Sequence, residues 1–305
     1  FGQFGDGAVE AGVWQDDVMI DGDIAAGPQS GAWFRFPGAK DMPVELKVGL
    51  SFVSVENAKQ NLLVETGEMG FDEIRKLAEE AWEEQFLKAY AEFSDDSPSN
   101  IAIQYYTSLY HSMLMPSLWS DQNGQYLDFD GAVKTSAGSA QYTDFSMWDT
   151  YRSLHPLLFL LEPDRSTDMI DSLLTMAGPD GCLPLWVLAN GDSGSMNGRP
   201  ATVIVSDAWF HGIPITDEQT MYEVLLRSGG IPEADGSLLP CAHKEGVQDY
   251  IEYGYLPYDM YGGSVSKTQE HAVADYCVAQ MAANFGTPEQ QELFSARSSN
   301  PFNLY

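Results

Sequence analysis

The first 55 residues alternate between apolar and polar positions, which is the pattern of β-strands that bury one face. In residues 44–52 every second side chain is apolar, from Val44 to Phe52. Residues 12–14 and 31–36 predict two further strands, and turns rich in glycine, proline and aspartate separate them. Three such strands make a small sheet, which we expect to be the end of a larger β domain.

The spacing of the apolar residues changes near residue 69. From Phe71 to Tyr90 they recur every three or four positions, with glutamate and lysine between them. This spacing predicts a long amphipathic helix. The sequence Ser-Asp-Asp-Ser-Pro-Ser at residues 94–99 ends it. We therefore expect a helical linker that leads into a second domain.

Helical patterns dominate after residue 100. They predict helices over residues 101–115, 150–161, 167–176 and 272–283, and Gly286 ends the last of these. Capping-box spacing occurs at Thr216 with Gln219, Ser266 with Gln269, and Thr287 with Gln290. Because no strands alternate with these helices, the sequence predicts an all-α array, and an α/α toroid whose loops converge at one end fits it.

The chain is therefore predicted to be an α+β multidomain protein. Residues 1–60 are assigned to the end of the β domain, residues 61–99 to the helical linker and residues 100–305 to the helical domain. A chain of 305 residues is long enough to bury a substantial core.

The composition is strongly acidic, with 45 Asp and Glu residues against 15 Lys and Arg and a formal net charge of −30. Such a charge repels nucleic acids and anionic membrane surfaces, so we expect neither as a partner. The sequence has no run of about 18 apolar residues and so predicts no membrane insertion. The three cysteines, Cys182, Cys241 and Cys277, allow at most one disulfide and lack the spacing of a metal site.

Trp148, Asp149 and Arg152 are the first candidates for chemistry. A pyranose presents an apolar face and a ring of hydroxyls, so its site needs an aromatic surface together with carboxylate and guanidinium groups. Asp149 and Arg152 lie three positions apart, so on one helix they would share a face and hold neighbouring hydroxyls. The alternative is an ion pair beside a packed tryptophan, and the chemistry alone favours it.

Asp192 is the only ionisable residue in the glycine- and serine-rich stretch 191–198, which follows the apolar run Leu-Pro-Leu-Trp at residues 183–186. A carboxyl group on a bent loop behind apolar residues suits a general acid, because partial burial favours its protonated form. The alternative is a turn aspartate that accepts hydrogen bonds from its own backbone. The spacing alone is compatible with both.

Glu270 lies near the predicted start of a helix. Its carboxylate suits a sugar hydroxyl or a hard cation, since Ca²⁺ takes several oxygen ligands that include carboxylates. The alternative, stabilisation of the helix N-terminus, is favoured by the chemistry alone. His155 and His211 are interpreted as packed or capping histidines rather than as catalysts.

Five strings of the sequence resemble glycoside hydrolase family 92, the calcium-dependent exo-acting α-mannosidases. They are residues 48–58, 142–156, 183–198, 207–208 and 266–270. The second contains Tyr-Thr-Asp-Phe-Ser-x-Trp-Asp-Thr-x-Arg, which is long and specific. The strings follow the family's order and cover nearly the whole chain.

The resemblance implies an N-terminal β-sandwich, a helical linker and an (α/α)6 barrel. It also implies inverting hydrolysis of terminal α-mannosides on mannose-containing glycans, in an extracellular or periplasmic location. Inversion requires two carboxyl groups about 6.5–9.5 Å apart, so that a water molecule fits between one of them and the sugar.

Residue roles follow from the same resemblance. Asp192 takes the position of the general acid, and Trp148, Asp149, Arg152 and Glu270 bind the sugar. Glu270 also lies at the implied calcium subsite. The ion would hold the 2- and 3-hydroxyls of the sugar and help to distort its ring.

Two departures from the family pattern affect this interpretation. Family members carry a glutamate where this chain has Asp192, which is one methylene shorter. The family's aspartate-rich segment, which supplies the general base and a calcium ligand, lies beyond Tyr305. We therefore expect the middle part of a family member, with a toroid incomplete at its C-terminus. Two alternatives remain: a non-catalytic carbohydrate-binding protein, or a hydrolase of a different α-glycoside.

Overall fold

A computed structural model describes residues 1–4, 10–36, 43–136, 138–178, 180–231, 241 and 246–305. The chain divides into two compact units, Phe1–Glu83 and Glu84–Tyr305. The domain boundaries predicted at residues 60 and 99 stay predictions, as do the β-sandwich and the (α/α)6 arrangement. In the described part of the chain, no helix is long and apolar enough to span a membrane.

The first unit begins with short antiparallel strands. They are β1 (Gly2–Phe4), β2 (Glu10–Gln15), β3 (Val18–Ile20), β4 (Ser30–Arg35) and β5 (Leu46–Val48). Strand β2 lies between β3 and β4 in one sheet, and β1 pairs with β5 in another. The strands predicted near residues 12–14 and 31–36 are confirmed.

The strand predicted over residues 44–52 is shorter and more exposed than its pattern suggested. Only Leu46–Val48 is a strand, and the five apolar side chains from Val44 to Phe52 are between 42% and 75% exposed. The prediction of a half-buried face is therefore wrong for this unit. Alternation shows which side chains share a face, whereas burial also requires a layer that packs on that face.

Two helices follow the strands. Helix α1 (Val55–Thr66) begins after Ser54, whose hydroxyl accepts a hydrogen bond from the Asn57 N–H. Helix α2 (Phe71–Leu87) is the predicted amphipathic helix, and its first turn carries Asp72 and Glu73, which favour a helix N-terminus. The predicted amphipathic helix is confirmed as far as Leu87, and irregular chain follows it as predicted. Its role as a linker between domains stays a prediction.

The second unit is mainly helical. Its helices are α3 (Ile101–Ser112), α4 (Met147–Thr150), α5 (Leu154–Leu161), α6 (Pro163–Met176), α7 (Pro200–Phe210), α8 (Glu218–Ser228), α9 (Val247–Tyr253), α10 (Ser264–Phe285) and α11 (Pro288–Arg297), and a 3-10 helix spans Asn300–Leu304. Helix α10 packs against α7, α8 and α11, so it lies at the centre of this unit.

Short antiparallel pairs also occur in the second unit, so the prediction of an all-α domain is wrong in this respect. The strands are β6 (Ser117–Leu118), β7 (Gln125–Leu127), β8 (Val133–Thr135), β9 (Tyr142–Thr143), β10 (Val187–Leu188) and β11 (Gly191–Asp192). Strand β6 pairs with β9, β7 with β8 and β10 with β11. Strands of two or three residues are too short to give a recognisable alternation.

The predicted helix starts are partly confirmed. Thr287 and Gln290 form the capping box of α11, and α10 ends before Gly286. Helix α8 instead begins after Asp217, whose carboxylate accepts a hydrogen bond from the Thr220 N–H, so the box predicted at Thr216 is wrong. A carboxylate is the stronger acceptor at a helix N-terminus, where the positive end of the dipole lies.

The predicted box at Ser266 is also wrong, because α10 already begins at Ser264. The helix predicted over residues 150–161 is α5, which begins only at Leu154, because the preceding short helix α4 ends at Thr150. This interruption directs the side chains of residues 151–153 away from a regular helical face.

The core of the second unit is built from the apolar faces of α5 to α8 and α10. Its fully buried side chains include Phe145, Met147, Ile170, Leu173, Val205, Met221, Leu225 and Val278. Phe145 and Met147 belong to the family-like string at residues 142–156. Their burial fixes the backbone that carries Trp148, Asp149 and Arg152.

Candidate active site

Three of the segments singled out from the sequence meet in the second unit. The Val187 N–H donates to the Phe145 carbonyl oxygen at 3.3 Å, and the Ala189 N–H donates to Asp144 Oδ1 at 3.2 Å. At the other end of the β10–β11 hairpin, Asn197 Nδ2 donates to Ser266 Oγ at 3.4 Å. The hairpin and its loop therefore lie between residues 144–152 and the start of α10.

Left-handed backbone is concentrated in these segments. Asp144 has a φ of 59°, Ala189 of 50° and Met196 of 69°. Side chains other than glycine rarely adopt such angles, and local strain of this kind is often found at functional sites. The strained positions lie on both segments that face α10.

Glu270 is the centre of a polar cluster. Arg152 Nη2 donates to Glu270 Oε1 at 2.7 Å, and the Tyr151 hydroxyl donates to Oε2 at 3.0 Å. The side chain of Glu270 is 13% exposed and that of Arg152 is 46% exposed. The structure therefore brings two of the predicted sugar-binding residues into direct contact, 118 positions apart in the chain.

Tyr151 was not among the predicted site residues, although it lies within the string at residues 142–156. Burial, followed by the Glu270 carboxylate, raises the pKa of Tyr151 to about 12. The hydrogen bond that Arg152 donates to the Glu270 carboxylate likewise raises the pKa of Arg152. At neutral pH Tyr151 is therefore a phenol that donates its proton towards Glu270.

Trp148 and Asp149 have different partners from those expected. The Arg152 guanidinium lies 4.8 Å from the ring of Trp148 and 4.6 Å from that of Tyr151. Asp149 Oδ2 accepts a hydrogen bond from Ser146 Oγ at 2.9 Å. The alternative of an ion pair between Asp149 and Arg152 is therefore wrong, because Arg152 pairs with Glu270. Shared binding of neighbouring sugar hydroxyls by Asp149 and Arg152 stays a prediction.

Gly198 allows the loop to approach Glu270 closely. A Cβ atom added at Gly198 would lie 2.5 Å from Glu270 Cβ, and the φ of Gly198 is +75°. Both the contact and the backbone angle exclude a larger residue. The loop at residues 191–198 thus ends directly against the residue that Arg152 and Tyr151 hold.

Asp192 accepts hydrogen bonds from three backbone N–H groups. The Leu185 N–H donates to Oδ2 at 2.9 Å, and those of Trp186 and Gly194 donate to Oδ1 at 3.0 and 3.1 Å. This is the geometry of the turn-aspartate alternative. It does not test the general-acid role, which stays a prediction.

A cavity of about 340 Å³ lies beside Asp192. Besides that residue, its lining includes Asp128, Asp130, Lys134 and Asp180. Lys134 forms an ion pair with Asp128, and Asp130 accepts a hydrogen bond from the Ala132 N–H. Asp192 therefore borders an open space as well as binding its own turn.

The described residues do not by themselves fit a calcium ion. Both oxygens of Glu270 accept hydrogen bonds, and a guanidinium 2.7 Å from Oε1 repels a second cation. Throughout the ranges that the structure describes, no three His, Cys, Asp or Glu side chains come together as a metal site. The assignment of Glu270 as a calcium ligand stays a prediction.

A buried triad of Arg199, Asp275 and Arg297 lies next to this cluster, and no local sequence pattern predicts it. Arg199 Nη2 donates to Asp275 Oδ1 at 2.5 Å. Arg297 donates to both oxygens of Asp275, at 3.0 and 3.1 Å. The Asp275 side chain is fully buried, and each arginine side chain is 8% exposed. The one signal in the sequence is that Arg199 directly follows the 191–198 loop.

His155 is a packed histidine and His211 a capping one, as predicted. His211 lies at the C-terminal end of α7, with Nδ1 2.9 Å from the Asp207 carbonyl oxygen. His155 is 1% exposed, between the rings of Phe145 at 6.2 Å and Phe159 at 6.1 Å. Burial lowers the pKa of His155 to about 4.

The buried His155 predicts a pH-dependent stability. The unfolded chain binds a proton on this residue below about pH 6.5, whereas the folded chain binds it only below about 4. Stability therefore falls as the pH drops through this window, by about 3 kcal/mol in total. We expect His155→Phe to remove this component, measured as the difference between urea unfolding curves of the two proteins from pH 7.5 to 4.5. A constant difference across that range would contradict the assignment.

Cys182 and Cys241 form a disulfide, so the single pair that the sequence allowed is present. Cys277 is the free cysteine of the described residues. Burial, followed by the Asp207 charge, raises the pKa of its thiol to about 12. Cys277 is therefore expected to stay a thiol under conditions that alkylate exposed cysteines.

Removal of the disulfide is expected to lower stability strongly. The two cysteines are 59 positions apart, and cross-linking a loop of this length is worth up to about 4 kcal/mol through the entropy of the unfolded chain. We expect Cys182→Ser with Cys241→Ser to lower the free energy of unfolding by most of that amount. Cys277→Ala is the matched control and should cost clearly less. Equal losses in urea unfolding would show that the bridge contributes little.

Comparisons with known proteins follow the same motifs. The family model for the glycosyl hydrolase family 92 catalytic domain matches residues 57–305. A curated relative, described as an uncharacterized secreted glycosidase of Arthroderma benhamiae, is 23% identical over 293 residues. That match covers 91% of this chain and 32% of the fungal protein.

Solved structures of the family are similar over nearly all of the chain. The inverting family GH92 mannosidase BT2199 of Bacteroides thetaiotaomicron has a TM-score of 0.87 and 27% identity, over 100% of this chain and 41% of that one. The family GH92 α-mannosidase BT3965 of the same organism has a TM-score of 0.80 and 26% identity, over 98% and 40%. This chain thus spans between 32% and 41% of the length of these relatives. The chain belongs to glycosyl hydrolase family 92.

Proposed function

We propose that the chain carries the acid-bearing side of a site that hydrolyses terminal α-mannosides with inversion. One observation carries the proposal: residues 144–152, the 191–198 loop and the start of α10 converge on Glu270. These are the segments that resemble the family's sugar site. BT2199 is described as an inverting mannosidase, and BT3965 was solved with mannoimidazole, which supports mannose-containing glycans as substrates.

In the proposed site, Arg152, Glu270 and Tyr151 bind hydroxyls of the terminal sugar. Arg152 is 46% exposed and lies against Glu270, so an incoming hydroxyl reaches the guanidinium and the carboxylate together. Charged partners give shorter and stronger hydrogen bonds than neutral ones. Trp148, beneath the Arg152 guanidinium, and Asp149, on the adjoining turn, complete the predicted set.

Asp192 is proposed as the general acid that protonates the leaving oxygen. Each of its oxygens already accepts at least one backbone N–H. Protonation of Asp192 weakens these contacts, because a neutral carboxyl group is a poorer acceptor than a carboxylate. Activation of the attacking water requires a second carboxyl group, which the resemblance places beyond Tyr305, so the complete reaction is a proposal about the full-length protein.

The proposal is tested by mannose release from aryl α-mannosides. We expect the full-length protein to release mannose as the β-anomer first, which is detected by NMR during turnover. Release of the α-anomer would overturn inversion. Turnover of aryl α-glucosides or α-galactosides in preference to mannosides would favour the alternative of a different α-glycoside.

A non-catalytic carbohydrate-binding protein is the second candidate. It is favoured by the three backbone hydrogen bonds to Asp192, which occupy the carboxylate that should protonate the substrate. Calorimetry with mannose and mannobiose separates the two candidates. Binding without any hydrolysis by the full-length protein would establish the binding role.

Calcium is proposed as a ligand of the full-length protein, and no step above depends on it. When bound, a hard cation would supply Lewis-acid polarisation of the sugar hydroxyls. We expect CaCl₂ to raise the melting temperature of the full-length protein and EDTA to reverse the change, because a ligand that binds only the folded state stabilises it. The same titration with MgCl₂ is the control. No shift with CaCl₂ would remove calcium from the proposal.

An extracellular or periplasmic location is part of the proposal. The Cys182–Cys241 disulfide supports it, because disulfides persist mainly in oxidising compartments. The fungal relative is described as secreted.

A further inference from the structure

Arg199 occupies a distinctive position between the loop and the helix core. It directly follows Gly198 and precedes the first residue of α7. Its side chain is only 8% exposed, so the guanidinium is directed inwards although the neighbouring loop residues 193–195 are exposed. An arginine buried at the end of a loop fixes that end only if its donors find defined acceptors.

The acceptors of Arg199 lie mainly on α10. Nη2 donates to the His271 carbonyl oxygen at 2.9 Å and to Asp275 Oδ1 at 2.5 Å. Nε donates to His271 Nδ1 at 3.4 Å, and Nη1 donates to the Ser228 carbonyl oxygen at 3.4 Å. One side chain thus joins the end of the loop to the backbone of α10 at the residue after Glu270.

The loop and Glu270 are also in direct contact. The position of a Cβ at Gly198 is 2.5 Å from Glu270 Cβ and 3.4 Å from Glu270 Cα. Because the two segments touch at Gly198, any displacement of the loop end changes its distance from the Glu270 side chain. Arg199 follows Gly198 in the chain, and its partner His271 follows Glu270. The hydrogen bonds of Arg199 therefore connect the two segments right beside this contact.

Arg297 is a second cationic partner of Asp275. Arg297 donates to both oxygens of Asp275 from α11, and it also donates to the Gly229 carbonyl oxygen at 2.7 Å. Both arginines therefore share the carboxylate, but Arg199 alone of the two binds His271. The additional contacts of Arg199 are those that connect the loop to the Glu270 segment.

We propose that Arg199 is a positioning residue, which fixes the separation between the 191–198 loop and Glu270 and so sets the affinity of the site for its sugar. The claim that Arg199 sets the affinity for the sugar rests on the proposed function. The claim that Arg199 fixes the position of the loop does not depend on that function. Lysine cannot replace arginine here, because its single ammonium lacks the planar set of donors that reaches His271 and Asp275 together.

Arg199→Lys and Arg297→Lys form a matched pair for the test, since both keep a positive charge beside Asp275. The first measurement is amide hydrogen exchange in the full-length protein without ligand. We expect Arg199→Lys to speed exchange in residues 191–198 by roughly tenfold or more, because local opening governs that rate. Arg297→Lys should leave the exchange of this loop close to the wild-type rate. Equal acceleration in both variants, or none in Arg199→Lys, would overturn the proposal.

The second measurement is steady-state hydrolysis of an aryl α-mannoside at matched folded fractions. We expect Arg199→Lys to raise KM by roughly tenfold with a smaller change in kcat, since a displaced binding group weakens ground-state contacts. Arg297→Lys should change neither. Loss of kcat alone would contradict a role in sugar affinity. If the wild-type protein does not act on mannosides, the proposed function fails, and the exchange comparison still decides whether Arg199 positions the loop.

Arg199→Gln is the second variant if the lysine variant does not fold. Its amide keeps one donor for the His271 carbonyl and removes the charge. We expect a smaller acceleration of loop exchange than in Arg199→Ala, because the contact with α10 is partly retained. Equal exchange in the glutamine and alanine variants would contradict a positioning role through His271.

Discussion

Replacing Asp275 by asparagine is expected to lower the free energy of unfolding by about 3–5 kcal/mol. The carboxylate is fully buried and receives hydrogen bonds from Arg199 and Arg297. Burial lowers the pKa of Arg297, and the Asp275 charge opposes this effect. Without that charge, two guanidinium groups remain in the interior with no ionic partner among the residues that the structure describes. Asparagine keeps the size of the side chain, so the loss measures charge rather than packing.

Asp207→Asn is the control for this prediction. Asp207 pairs with His211 on the surface of α7, where the two side chains are 34% and 41% exposed. Exposed pairs of this kind contribute at most about 1 kcal/mol. Urea unfolding of both variants at pH 7 gives the comparison. Similar losses in the two proteins would show that the buried triad contributes no more than a surface pair.

Asp192→Asn is expected to lower kcat/KM of the full-length protein by about 10²–10⁴ for mannosides with alcohol leaving groups. A dinitrophenyl α-mannoside should lose far less activity, because its leaving group departs without a proton. This difference between substrates is the signature of a missing general acid. The turn-aspartate alternative predicts a different result. If Asp192 only accepts hydrogen bonds from its three backbone N–H groups, the variant should lose activity towards both substrates by the same factor.

Asp192→Glu provides the complementary variant. The longer side chain restores the methylene by which this chain differs from the family pattern. We expect higher kcat for the alcohol leaving group, since a misplacement of about 1 Å can reduce a rate by 10²-fold. Circular dichroism of both variants checks that the overall secondary structure is retained. A decrease in kcat with Asp192→Glu would show that the aspartate geometry is the functional one.

Local pattern predicted the helices better than the strands. The spacing from Phe71 onwards predicted α2, and Thr287 with Gln290 predicted the start of α11. The start of α8 was missed because Asp217 replaces Thr216 as the capping residue. Alternation in residues 44–52 predicted which side chains share a face. The alternation does not indicate whether a second layer of the protein covers these apolar side chains.

The sequence predicted which segments form the candidate site, but it did not predict which side chains contact each other there. Trp148, Asp149, Arg152 and Glu270 lie on segments that meet, but the partner of Arg152 is 118 positions away. A spacing argument compares only residues on one element, so it paired Arg152 with Asp149. The break after Thr150, which turns Arg152 towards Glu270, depends on how Phe145 and Met147 are buried. The triad around Asp275 joins three elements and was beyond any local pattern.

The disulfide encloses some residues of the candidate site in a covalent ring and leaves others outside it. The bridge between Cys182 and Cys241 closes a ring of the chain that includes Asp192, Arg199, α7 and α8. Arg152 lies before this ring, and Glu270 and Asp275 lie after it. A single proteolytic cut inside the ring leaves its ends joined, whereas a cut between residues 246 and 264 separates Asp192 from Glu270. Limited proteolysis without reductant therefore distinguishes the two kinds of cut: a cut inside the ring leaves one disulfide-linked molecule, and a cut between residues 246 and 264 gives two fragments.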